Sequence, residues 1–151
     1  MADLAISAVD SFAGLGAVGG YLRFENVGTE PCVLTGWPVL VGVTAGGSRT
    51  TATHSTAILD YPPDAGMPIV VIAPGGSAFA GFQGGDNPTG DARTCPPSYR
   101  TLEVGAPGTT KTVSISAYNA WLGQDLTSCS GIEVTPVIAQ DLVPSLSSLR
   151  P

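Results

Sequence analysis

The segment Gly20–Val43, GYLRFENVGTEPCVLTGWPVLVGV, decides how the chain is read. Its first part alternates, with Leu22, Phe24 and Asn26 on one side of an extended chain and Tyr21, Arg23 and Glu25 on the other. A period of two marks a strand with one buried face, because successive side chains of extended backbone point to opposite sides. Turn formers follow from Gly28 to Pro31, and the run Val39–Val43 is nearly continuous, as expected of a strand covered on both sides.

The same reading extends outward. Asp3–Val9, DLAISAV, alternates with Leu4, Ile6 and Ala8 on one face. In IVVIAPGGSAFAGF, Ile69–Ile72 is β-branched or aliphatic throughout, Pro74–Gly76 supplies a turn, and Phe79 and Phe82 lie on the returning segment. TLEVGA, KTVSISAY and IEVTPVI read as later strands. Helical periodicity is nowhere sustained, and AWLGQDL makes a helical turn at most. About eight strands at this spacing predict an all-β fold, an antiparallel β-sandwich whose two sheets bury alternate side chains. TAGGSRTTATHST (44–56), DYPPDAGMP (60–68) and GGDNPTGDARTCPPSYR (84–100) are expected as loops. Residues 1–140 are read as one sandwich domain and 141–151 as a tail. Pro144 opposes a regular helix there, so Leu142, Leu146 and Leu149 either dock on a neighbour or pack back on their own domain.

Composition bounds the function. Glycine and proline number 20 and 13 of 151 residues, too many for a helix bundle, while 43% hydrophobic content is too high for disorder. Twelve acids against six bases give a net charge of −6, with Lys111 the single lysine. Such a surface repels a phosphate backbone and lacks the basic clusters that hold an anionic bilayer. No run of 18 apolar residues occurs, so membrane insertion by a helix is not expected. MADLAISAVDSF has no basic n-region and no long apolar stretch, which reads as a natural start rather than a signal peptide. The competing expectation is a mature domain placed behind a methionine.

Motifs with chemical meaning are few. GLGAVG (Gly14–Gly19) matches the glycine spacing of a dinucleotide loop, but the next segment is strand-like, and that motif needs a helix to cradle the pyrophosphate. A hairpin connection is expected instead. His54, the only histidine, sits among hydroxyls in TATHSTA, without a nucleophile-elbow serine, and is read as solvated in a loop. Asp86 and Asp91 lack calcium-loop spacing and suit turns, and the three cysteines form no metal-ligand pattern. Catalytic residues, metals and cofactors are therefore not expected. Cys95 and Cys129 each precede a strand, and cysteines entering neighbouring strands can approach within the roughly 4.4–6.8 Å Cα separation of a disulfide. A bridge between them would stabilise by about 3.8 kcal/mol on chain-entropy grounds. Cys32 is then left unpaired.

GYLRFENVGTEPCVLTGWPVLVGV, IAPGGSAFAGFQ, CPPSYRTLEVGAPG and CSGIEVTPVI, in that order, resemble an actinobacterial domain family of unknown function. The resemblance spans Asp3 to about Ile138 and rests on Phe24, Asn26, Cys32, Leu34, Gly36, Trp37 and Pro38, then Pro74, Gly75, Ser77 and Ala78, then Cys95 and Cys129. It implies an immunoglobulin-like sandwich in proteins that are mostly secreted, lipid-anchored or membrane-tethered, and it implies no activity, cofactor or binding residue. Members usually carry a further cysteine ahead of the first strand as the natural partner of Cys32. The present chain has only Met1–Asp3 there, so Cys32 is expected as a scaffold cysteine without its partner. The reading that follows is a non-enzymatic structural and interaction module displayed on an outer surface, with protein partners. A bacteriophage capsid-decoration protein on the virion surface comes first, as a homo-oligomer within the assembly or bound to capsid subunits. A secreted or lipid-anchored envelope binding domain is the alternative, and a small hydrolase using His54 or an acid pair is the reading from a different class.

Overall fold

The computed structural model describes residues 3–14, 17–59, 61–62, 64–85, 98–119, 124–126 and 131–143. Within them the chain is all-β, with one short 3-10 helix at Gln140–Leu142. The strands are β1 (Leu4–Gly14), β2 (Ala17–Asn26), β3 (Cys32–Thr35), β4 (Val39–Thr44), β5 (Arg49–Thr51), β6 (Thr53–His54) and β7 (Ile69–Ile72). They continue as β8 (Ser77–Gly85), β9 (Tyr99–Gly105), β10 (Val113–Ser116), β11 (Tyr118–Asn119), β12 (Gln124–Asp125), β13 (Ile132–Val134) and β14 (Ile138–Ala139).

Two sheets carry the fold. The first runs β1-β2-β8-β13-β6, with β14 also paired to β8, and the second runs β10-β9-β4-β5. Small two-stranded sheets, β3–β7 and β11–β12, complete the set. Pairings are antiparallel except β13 with β6, which is parallel. This departs from the purely antiparallel expectation, and the reason is a crossing. After pairing with β4, the chain passes from β5 to β6 at buried Ala52, whose N–H donates to Leu40 O at 2.9 Å, and so enters the first sheet alongside β13.

The alternation read in Gly20–Val43 is the alternation of the core. Leu22, Phe24 and Asn26 are fully buried, and Val18 continues the same inward row of β2. Val18, Leu22 and Phe24 meet Ala78, Ala80 and Phe82 of β8, Leu40, Leu102 and Val104 of the second sheet, and Cys32, Leu34, Val70 and Ile72 of β3–β7 in one apolar cluster. Each large side chain buried there contributes about 1.5–3 kcal/mol relative to exposure. Leu4 and Ile6 of β1 pack against the same cluster from its edge.

The opposite face of the first sheet is also covered. Tyr21 and Phe79 form a second cluster with Tyr61, Ile138 and Val143. Tyr61 donates its hydroxyl to Gly66 O at 2.7 Å, and burial pushes its phenol pKa up. A strand that alternates apolar with Tyr, Arg and Glu can thus be buried on part of both faces when a loop and the segment 138–143 fold over it.

Several expectations are corrected. Residues 44–56, read as a loop, contain β5 and β6, which are too short to show a period. Fourteen strand segments stand among the described residues where about eight were expected, because most of the additions are two or three residues long, too short to show a period. Pro74–Gly76 supplies a turn as expected, and because β7 pairs with β3 while β8 pairs with β2 it carries the chain between sheets. Gly75 adopts φ +83 there, a conformation that glycine reaches without a Cβ penalty. The expected hairpin connection between β1 and β2 is present, with Gly14 of β1 paired to Ala17 of β2.

Candidate interaction surface

β3 and β7 form an antiparallel ribbon in which Val33 lies opposite Val71 and Thr35 opposite Ile69. Alternation turns Cys32, Leu34, Val70 and Ile72 inward, all at most 5% exposed. The other parity faces out: Val33, Val71 and Ile69 are 52%, 66% and 73% exposed, beside exposed Thr35. Met67, two residues before β7, is exposed as well. The outward face of the ribbon therefore carries three β-branched apolar side chains and no charge, on a protein of net charge −6. Burying such side chains is favourable only against another apolar surface, which is the property of a docking face.

The ribbon is anchored from behind by Asn26. Its Nδ2 donates to Glu30 O at 2.7 Å and to Ile72 O at 2.9 Å, while its Oδ1 accepts from Gly28 N at 2.9 Å. The backbone of the same residue binds the next turn, with Asn26 N donating to Gly76 O and Gly75 N donating to Asn26 O. One buried side chain thus fixes the loop before β3 and the end of β7, so that the exposed valines sit on a held frame.

Cys32 lies on the inner side of this ribbon, buried and without a disulfide partner among the described residues. Desolvation pushes its thiol pKa up, so the thiolate needed for reaction is scarce. Native protein at pH 8 is expected to resist alkylation at Cys32 and to label there only on unfolding, read by mass spectrometry. A thiol whose folded pKa is raised contributes its full stability below the unfolded value of about 8.5 and loses it as pH climbs through the folded value. Rapid labelling in the folded state would show that the ribbon opens.

His54 is in β6 rather than a loop, and its ring stacks on Trp37, with centroids 4.2 Å apart and planes 4° from parallel. Among the described residues no hydrogen bond joins His54 to a hydroxyl or a carboxylate, so the stack, not a Ser–His pair, sets its orientation. Leu142 is 39% exposed at the end of the 3-10 helix, while its neighbour Val143 is buried against the first sheet. Leu146 and Leu149 lie outside the described residues, as do Cys95 and Cys129, the proposed disulfide, and Asp86 and Asp91. The outward face of β7 escapes sequence reading because Ile69–Ile72 has no polar member to mark the wet side. Trp37 and His54 are 17 positions apart, and nothing local advertises their stack.

Comparison with known proteins adds one relationship. The family model described as Domain of unknown function (DUF4232) matches residues 1–138. No curated protein and no solved structure matches the chain significantly.

Proposed function

We propose that this chain, which belongs to the DUF4232 family, is a non-enzymatic structural and interaction module of immunoglobulin-like sandwich form, displayed on an outer surface and docking on protein. The observation that carries the reading is the uncharged outward face of Val33, Ile69 and Val71. Such a face on a two-stranded ribbon offers shape and apolar area to a protein partner, whereas nucleic acid or an anionic bilayer would require basic clusters. A symmetric shell presents many identical sites to such a face, and capsid decoration on a bacteriophage virion is the setting we put first. The resemblance to secreted and lipid-anchored actinobacterial proteins supports a cell-envelope setting as the second.

Sedimentation of the native source material tests this, with the chain followed through a salt wash. Stoichiometric co-migration with virions supports decoration, and recovery in the envelope fraction supports the second setting. Recovery as a free monomer overturns both. Val71→Lys places a charge on the proposed face at a 66% exposed position, where stability is expected to change by no more than about 0.5 kcal/mol. Particle association should nevertheless fall at least tenfold. Unchanged association would remove the ribbon from the interface.

A further inference from the structure

A second feature, independent of the ribbon, lies where the edges of the two main sheets come together. β1 borders the first sheet and β10 the second, and the β9–β10 connection, residues 106–112, stands beside the start of β1. Between them is an open cavity of about 630 Å³. Its apolar side is lined by half-buried Leu4 and Ile6 of β1, together with the buried Val104 of β9 and Ala106 of the connection. Cavities of roughly 300–1,000 Å³ are the usual size for small-ligand sites.

The rim has a different chemistry. Thr110, Lys111 and Thr112 line it, and the bend is set by Thr109, whose N–H donates to Ala106 O at 3.2 Å and whose Oγ1 accepts from Lys111 N at 3.1 Å. The hydroxyls of Thr110 and Thr112 make no hydrogen bond within the protein among the described residues. Lys111 is exposed and has no carboxylate partner among them. The other described bases are all paired: Arg23 lies 3.5 Å from Glu25, Arg100 lies 3.6 Å from Asp125, and Arg49 donates to Glu103, holding that carboxyl below its usual range. On a chain with twice as many acids as bases, the one unengaged cation among the described residues thus stands at the mouth of an apolar cavity.

We propose that this groove binds a small amphipathic monoanion, an aliphatic monocarboxylate, with its chain against Leu4, Ile6 and Ala106 and its carboxylate at Lys111 and the threonine hydroxyls. A single lysine matches one negative charge, and a wall with no polar side chain asks for an unbranched apolar body. The hairpin side of the groove is turn rather than strand, so it offers no ladder for an extended peptide to pair with.

Isothermal titration of the whole chain with decanoate, below its micellar concentration, tests the assignment, with decanol as the uncharged counterpart. One site per chain is expected, with affinity rising about fourfold for each methylene from octanoate to decanoate. Lys111→Gln, an exposed change that leaves the fold intact by circular dichroism, should weaken decanoate about tenfold and leave decanol unchanged. Ala106→Phe, which fills the groove, should weaken both. Three outcomes would each overturn the proposal: no saturable decanoate binding to the natural chain, equal affinity of Lys111→Gln for decanoate, or an equal loss for acid and alcohol in that variant. Should Ala106→Phe fail to fold, the Lys111→Gln comparison decides alone.

Discussion

Asn26→Ala is expected to lower stability by about 4 kcal/mol, a large share of the 5–15 kcal/mol that typical domains possess. The truncation deprives Ile72 O and Glu30 O of their donor and Gly28 N of its acceptor in one step. The bond to Ile72 O is buried and the other two are part-buried; a group orphaned out of water costs about 1–3 kcal/mol, and water reaching the part-buried pair recovers part of the total. For a chain of this length the melting temperature should fall by about 8–16 °C. Denaturant titration should show a lower midpoint at unchanged slope, since the surface exposed on unfolding hardly changes. Asn26→Asp sharpens the test. It keeps the shape of the side chain and replaces the Nδ2 donor with an oxygen that faces two carbonyls. An account based on packing makes Asp harmless, whereas one based on hydrogen bonds makes it at least as damaging as Ala. A stable Asp variant would show that the side chain only fills space.

The same residue marks how far sequence reading reaches. Its place on the inner row of β2 follows from the alternation of Leu22 and Phe24. Its partners do not, because Ile72 is 46 positions away and a linear pattern carries no record of which strands meet. The continuous runs are ambiguous for a related reason. Val39–Val43 and Ile69–Ile72 are both apolar throughout, yet the first is largely covered while the second is buried on one side and exposed on the other. Without a polar residue to mark the wet face, the two cases look alike. β5 and β6 are shorter than the window any period needs, and the parallel β6–β13 pairing depends on a crossing that leaves only a buried alanine as its trace. The groove was partly legible: Lys111 is conspicuous as the single lysine. The apolar wall beside it comes from strands about 100 residues apart and appears only on folding.

Gly42 carries the second large prediction, because here the two sheets approach too closely for any side chain. It lies on β4, opposite Leu102 and Thr50. A Cβ built at this position would stand 2.6 Å from Ile132 Cδ1 and 2.7–2.8 Å from the Tyr99 ring, so strands of both sheets block it. The two neighbours differ in how they can respond. Ile132 presents a terminal methyl that can rotate, whereas Tyr99 is 4% exposed and its backbone N–H is tied to Leu126 O at 2.8 Å. Gly42→Ala should therefore cost about 2 kcal/mol and Gly42→Val about 3 kcal/mol or more, at the upper end of the usual overpacking range. Ile132→Val alone should cost about 1 kcal/mol by deleting one buried methyl group. Combined with Gly42→Ala, that deletion removes the nearest obstacle, so the double variant should be more stable than the sum of the singles by about 1 kcal/mol. Thermal or denaturant unfolding of the four proteins measures this coupling directly. Strict additivity would mean that the Tyr99 ring, held by its buried surroundings, sets the spacing of the sheets without help from Ile132. A coupling of the expected size would make the spacing a joint property of both side chains, and glycine the residue that lets them meet.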